Sequence, residues 1–218
     1  MNKPFAVFDM DGTLVDSMVY WQRLGREYLA SRGVTEGVDE VLERIKAMTM
    51  AESSALFIET FGLPGTPETV EAEMNAVMDE HYRSDIPLKP GAADYLAALK
   101  ARGTKMCVAT ATPEPLARAC LERLGVLEDF AFLLSCDEVA AGKDRPDVFF
   151  EAARRLGSAP AETAAFEDAL FAARTAKDAG FYTVGVYDAS GDGHWNELTA
   201  LADETVRDWG AAAEMIKT

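Results

Sequence analysis

Phe5-Ala6-Val7-Phe8-Asp9-Met10-Asp11-Gly12-Thr13-Leu14 delivers two carboxylates where a short apolar run ends. Phe5 to Phe8 is a run of the buried-strand type. Residues two apart on a strand project to the same side, so the spacing predicts that Asp9 and Asp11 converge. Gly12 then lets the backbone turn sharply. Two convergent carboxylates repel one another unless a cation or a shared proton sits between them. A hard divalent ion such as magnesium, which takes carboxylate, phosphate and water oxygens, suits this pair. No His or Cys cluster offers a zinc alternative. The competing reading is a polar strand exit that only solvates two acids.

The chain has 218 residues, enough to bury a core, and 49% of them are hydrophobic. Lys and Arg total 21 against 37 Asp and Glu, a net charge of -16. Such a field repels nucleic acid and anionic membranes. It also opposes a phosphorylated substrate, so any phosphate chemistry must rest on a metal and a few placed cations. Cys107, Cys120 and Cys136 are an odd number at scattered spacings in apolar surroundings, which predicts reduced, buried thiols and a cytoplasmic location. The opening Met-Asn-Lys-Pro lacks the apolar stretch of a signal peptide, and no run is long enough to span a membrane.

From about Val19 to Arg83 the apolar residues fall at helical spacing, among them Trp21, Leu24, Tyr28 and Leu29, then Val70, Met74, Val77 and Met78. Gly62-Leu63-Pro64-Gly65-Thr66-Pro67 punctuates this helical bundle, and Ile86-Pro87-Leu88-Lys89-Pro90-Gly91 ends it. Afterwards strands alternate with helices: Lys105 to Ala109, Phe130 to Ser135, Ala164 to Phe166 and Tyr182 to Tyr187. With the first run these are five strand candidates. Alternation of this kind predicts an α/β fold, a parallel sheet covered on both faces, with the helical block inserted after the first strand.

Ligands of open parallel sheets bind beyond the carboxyl ends of the strands. Strand two ends in Ala109-Thr110-Ala111-Thr112, which offers a hydroxyl and backbone N–H groups to a phosphate oxygen or, equally, to a helix cap. Strand three is followed by Gly142-Lys143-Asp144-Arg145-Pro146-Asp147, where Lys143 either reaches back as a point charge or stays solvated. Strand four ends in Phe166-Glu167-Asp168-Ala169, a second acid pair; acids also commonly open helices. Taken singly each has an ordinary explanation. Together, Asp9, Asp11, Thr110, Lys143, Glu167 and Asp168 all fall on one sheet edge.

With FDMDGTLVDS, ATAT, GKDRPDVF and FEDALFAARTAKDAG in this order, the chain resembles the haloacid dehalogenase superfamily, in its phosphatase and phosphomutase branch, from residue 5 to about 210. The resemblance implies a Rossmann-like core at 1–16 and 88–218 and a helical cap at 17–87. It implies a phosphoric monoester hydrolase in which Asp9 attacks phosphorus to form an aspartyl-phosphate and Asp11 is general acid and base. Thr110 would hydrogen-bond the phosphoryl group and Lys143 would neutralise charge. Mg2+ would be held by the Asp9 side chain, the Asp11 backbone carbonyl and Asp168, with Glu167 beside it. Gly12, Thr13 and Ala111 would add phosphate contacts from backbone turns. On the cap, Trp21, Lys46 and Thr49, with Glu52, are candidates to meet a small phosphate ester.

Several positions depart from the pattern. Asp144 follows the lysine where many relatives have Pro, and would pair with Lys143; Ala169 stands where Ser is common. Relatives resembling beta-phosphoglucomutase carry a hinge His where Trp21 stands and a cap Arg near Met50. Their absence favours a phosphatase over a phosphomutase, which stays as the alternative beside a non-catalytic binding protein. Asp11 itself sets aside the dehalogenases and phosphonate hydrolases, which lack the second acid. The stretch Asp188-Ala189-Ser190-Gly191-Asp192-Gly193-His194-Trp195 reads as a connecting loop. The oligomeric state is left open.

Overall fold

The computed structural model of the chain describes residues 2–45, 48 and 50–217. Six parallel strands, β1 (Phe5–Phe8), β2 (Lys105–Thr110), β3 (Leu133–Ser135), β4 (Thr163–Glu167), β5 (Tyr182–Val186) and β6 (Glu204–Val206), form one sheet in the order β3-β2-β1-β4-β5-β6. The sequence predicts five. Glu204-Thr205-Val206 was missed because three residues carry too little pattern to register, and this strand closes an edge against Val184 to Val186. β3 is also shorter than the predicted Phe130 to Ser135. Its approach continues the pairing nonetheless, since Ala131 donates to the Met106 carbonyl and Val108 to that of Phe132.

Helices α1 (Met18–Ser31), α2 (Val38–Ile45), α3 (Met50–Phe61) and α4 (Pro67–Ser84) follow β1, and α5 (Ala92–Ala101), α6 (Glu114–Arg123), α7 (Cys136–Val139), α8 (Asp147–Leu156), α9 (Leu170–Asp178), α10 (Trp195–Leu201) and α11 (Trp209–Lys217) accompany the remaining strands. The chain divides into two compact units, 1–18 with 86–218, and 19–85. The second is all helical among its described residues. Thr66 caps α4 by accepting from the Thr69 N–H and Pro67 takes the first turn, where its missing donor costs nothing. Val70, Met74, Met78 and Tyr82 recur every four residues as the buried stripe of that helix.

Alternation along β1 sorts the sheet's two faces. Val7, Cys107 and Ala165 lie in register and point to a face covered by α8 and α9, where Ala172 and Ala176 are small enough to let a helix approach closely. Phe8 and Phe166 point to the other face, their rings stacked 4.2 Å apart, and Trp209 of α11 and Tyr95 of α5 pack on them. The Trp209 indole N–H donates to the Thr13 carbonyl at 3.1 Å, so this aromatic layer also holds the turn behind β1.

In a 3-2-1-4-5-6 order the direction of strand progression reverses between β1 and β4, and the crevice beyond their carboxyl ends is where such sheets place ligands. Asp9 leaves β1 at that point, its N–H bonded to the Phe166 carbonyl at 3.0 Å, and Glu167 and Asp168 leave β4 beside it. Trp209→Ala is expected to cost about 3–5 kcal/mol in chemical denaturation. Trp209→Phe, which keeps the ring but strands the buried Thr13 carbonyl, is expected to cost about 1–3 kcal/mol. A phenylalanine variant no less stable than the parent would show that the indole hydrogen bond holds nothing.

Candidate active site

Three carboxylates converge at the switch point. Asp9, Glu167 and Asp168 each offer an oxygen, and these oxygens lie within 4.8 Å of one another. Two like charges at that range repel by about 3–4 kcal/mol even at an effective dielectric constant of about 20. Lys143 offsets part of this. Its ammonium, buried with 6% of the residue exposed, donates to Asp9 Oδ1 at 2.5 Å and Glu167 Oε1 at 2.8 Å. Burial alone would depress the Lys143 pKa, but the charges and hydrogen bonds of Asp9 and Glu167 outweigh it and hold the group protonated. The pairing of Lys143 with Asp144 that the sequence allows does not form; Asp144 is exposed.

One lysine against three acids leaves two negative charges, and the acids respond. Burial raises Glu167 well above the ordinary carboxylate range, with Asp9 and Asp168 adding to the rise and Lys143 opposing it. Burial, then repulsion from Asp9 and Asp188, pushes Asp168 up to about 7. Asp9 Oδ2 is buried with no hydrogen-bond partner. A buried anionic oxygen left unpaired is costly, and a divalent cation supplies both the missing partner and the missing charge. The donor set is all oxygen, which fits magnesium and gives no thiolate or imidazole for zinc.

Gly12 makes this geometry possible. Its φ of +78° is in the left-handed region, and a Cβ there would sit 2.3 Å from Asp168 Oδ2. Thr13, fully buried, donates its hydroxyl to Asp168 Oδ1 at 3.3 Å. Its side chain therefore orients a carboxylate.

Asp11 does not join the three. β1 ends at Phe8, so strand alternation does not extend to position 11, and the predicted convergence with Asp9 by strand geometry is corrected: the Asp11 carboxylate accepts from Ser17 Oγ at 2.7 Å on one oxygen and from Thr112 Oγ1 at 2.6 Å on the other. Two hydroxyls fix its direction. Neither Ser17 nor Thr112 was singled out from the sequence, although both lie inside the quoted motifs. Thr110 is 1% exposed and its hydroxyl accepts the Thr112 N–H at 3.0 Å, which leaves its own proton to donate. It does not cap α6, whose N-cap is Pro113; Ala111 is exposed next to it.

Of the helical-unit candidates, Trp21 is half-buried and its indole N–H donates to the Tyr82 hydroxyl at 3.1 Å, a tie inside its own unit. Glu52 is exposed. Lys46 and Thr49 lie outside the described residues. All three cysteines are buried and unpaired, with burial raising the thiol of Cys120 to about 11, and no described helix is long and apolar enough to cross a membrane.

The raised carboxyls carry a stability signature. An unfolded Asp ionises near 3.8, whereas folded Asp168 keeps its proton to about 7, so the folded chain binds the proton more tightly between those values. This group therefore destabilises the metal-free protein progressively as pH rises from about 4 to about 7, and Glu167 acts with the same sign. Asp168→Asn is expected to melt higher than the parent at pH 8 in chelator, with the advantage shrinking toward pH 4. A lower melting temperature at pH 8 would contradict this electrostatic account.

The model of the haloacid dehalogenase-like hydrolases matches residues 5–180. The chain is 30% identical over 197 residues to Beta-phosphoglucomutase of Bacillus subtilis, covering 83% of this chain and 82% of the relative. It is 30% identical over 204 residues to Phosphoglycolate phosphatase of Shigella boydii, covering 83% and 80%. Its fold superposes with a TM-score of 0.74, at 25% identity and 96% coverage of both chains, on CbbY of Rhodobacter sphaeroides, crystallised with xylulose-(1,5)bisphosphate. With the acids, the lysine and the buried threonine at the carboxyl edge of the sheet, the chain belongs to the haloacid dehalogenase-like hydrolases.

Proposed function

We propose that this chain is a magnesium-dependent phosphatase that hydrolyses a small phosphorylated metabolite, a sugar phosphate being the class its relatives point to, through an aspartyl-phosphate on Asp9. The observation that carries the reading is the state of Asp9. One oxygen is held by Lys143, and the other is buried without a partner, in a group of three carboxylates.

Asp9 and Asp168, with Glu167 beside them and the Asp11 backbone carbonyl, are the residues that would hold Mg2+. The cation would neutralise phosphate charge and act as a template for the transferring group. Asp9 attacks phosphorus in line while Lys143 balances the charge that develops on the phosphoryl oxygens, an arrangement set in place before substrate arrives. Thr110 donates to a phosphoryl oxygen. Asp11, aimed by Ser17 and Thr112, protonates the departing alkoxide and then takes a proton from the water that cleaves the acyl-phosphate. This answers how a chain of charge -16 would accept a phosphate ester: the local field is made by a lysine and a cation and not by the surface. The helical unit 19–85, inserted after β1, is assigned the selection of the leaving group.

A second reading, a phosphomutase, is favoured by the 30% identity to Beta-phosphoglucomutase. A panel of sugar phosphates, phosphoglycolate, nucleotides and an aryl phosphate separates the two. The phosphatase predicts phosphate release that stops in chelator and returns with magnesium, and a loss of at least about 10³-fold in Asp9→Asn. Isomerisation of a sugar 1-phosphate outpacing phosphate release would establish the mutase. Metal-independent turnover, or a nearly fully active Asp9→Asn, would reject both.

A further inference from the structure

A buried ion pair outside this machinery lies beside the carboxylates. Lys89, in the segment that returns the chain from the helical unit, donates its ammonium to Asp188 Oδ2 at 2.7 Å and to the Tyr187 carbonyl at 2.9 Å. The side chains are 11% and 4% exposed. Asp188 Oδ1 accepts from the Ser190 N–H at 2.8 Å and from its hydroxyl at 2.5 Å, so each oxygen of Asp188 has a partner. A pair this deeply desolvated adds little net stability. What it does supply is a fixed distance between two segments 99 residues apart in the chain.

Both ends are anchored. The Lys89 N–H donates to the Leu14 carbonyl at 2.8 Å, and neighbouring Leu88 bridges to Val15, which holds the lysine's backbone to the turn behind β1. Asp188 caps the 3-10 helix Ala189–His194 after β5, and there Gly191 comes near the backbone of Asp168: a Cβ built on it would stand 3.9 Å from the Asp168 carbonyl oxygen. Beside the pair is a cavity of about 270 Å³, lined among others by Asp16, Tyr187, Arg207 and Trp209. The ion pair ties the start of the loop after β5 to the segment that carries Lys89, while Tyr187 holds the loop internally through Asp192 and Trp195. The charges of Asp188 and Lys89 both reach the Asp168 carboxyl.

We propose that Lys89 and Asp188 are positioning residues for Asp168: by fixing the loop after β5 beside its backbone, they set the carboxylate in the direction in which it takes the cation. The proposal rests on the magnesium reading of the carboxylate group. Lys89 and Asp188 touch neither the cation nor the phosphate, and their effect is on cation affinity.

The test is a magnesium titration of the full chain, followed by calorimetry and by the rise in melting temperature, on the parent and on Lys89→Met, Lys89→Arg and Asp188→Asn. Lost positioning weakens binding in both Lys89→Met and Asp188→Asn, by about tenfold each, and Lys89→Arg recovers part of the loss. At saturating magnesium the KM for a hydrolysed phosphate ester stays near the parent's value. A pure charge effect gives opposite signs, tighter binding in Lys89→Met and weaker in Asp188→Asn, and would overturn the proposal, as would unchanged affinities. If Lys89→Met does not fold, the near-isosteric Asp188→Asn and the charge-conserving Lys89→Arg carry the comparison. A parent chain without any magnesium response removes the metal reading and this proposal together; a parent that responds beside variants that bind equally well removes this proposal alone.

Discussion

The structure turns on the buried contact of Lys143 with Asp9 and Glu167. Three carboxylates within 4.8 Å are not tolerated in a protein interior without compensation, and a single ammonium compensates only one of them. Burial, with repulsion from the neighbouring carboxylates added to it, raises Glu167 and Asp168 above their ordinary range, and Asp9 Oδ2 is buried without a hydrogen-bond partner. Stability is given up locally in an all-oxygen group whose excess charge a divalent cation would relieve. Strain of this kind is what a preorganised electrostatic site requires.

The rest of the α/β unit reads as support for that contact. The reversal of strand order between β1 and β4 brings Asp9 and the Glu167-Asp168 pair to one crevice. Gly12 permits the close approach of Asp168, and Thr13, itself held through its carbonyl by Trp209, donates to the same carboxylate. The aromatic layer of Phe8, Phe166, Tyr95 and Trp209 is therefore connected to the chemistry by one hydrogen bond. On the opposite side, alanines at positions 165, 172 and 176 let α9 lie close to the sheet, so the helix that follows Asp168 starts from a fixed place.

Much of this was legible in the sequence because the strands that matter are short apolar runs followed at once by chemistry-bearing residues. Phe5 to Phe8, then Asp9, and Ala164 to Phe166, then Glu167 and Asp168, announce both strand and function in a few letters. The side-chain network was less legible. Asp11 was placed by strand periodicity, which ends one residue before Asp9, while its true direction is set by Ser17 and by Thr112, 101 residues away. Lys89 and Asp188 gave no local signal, since an ion pair across 99 residues has no period or motif. β6 was missed for want of length, and its place at the sheet edge depends on pairing with β5 and not on its own three residues.

The central claim is that Asp9 becomes covalently phosphorylated. Rapid quenching of the protein during turnover of a radiolabelled phosphate ester, followed by peptide mapping, tests it most directly. The account predicts an acyl-phosphate label on the peptide containing Asp9, seen only with magnesium and absent from Asp9→Asn. Turnover without any protein-bound label, or a label on another residue, would contradict it.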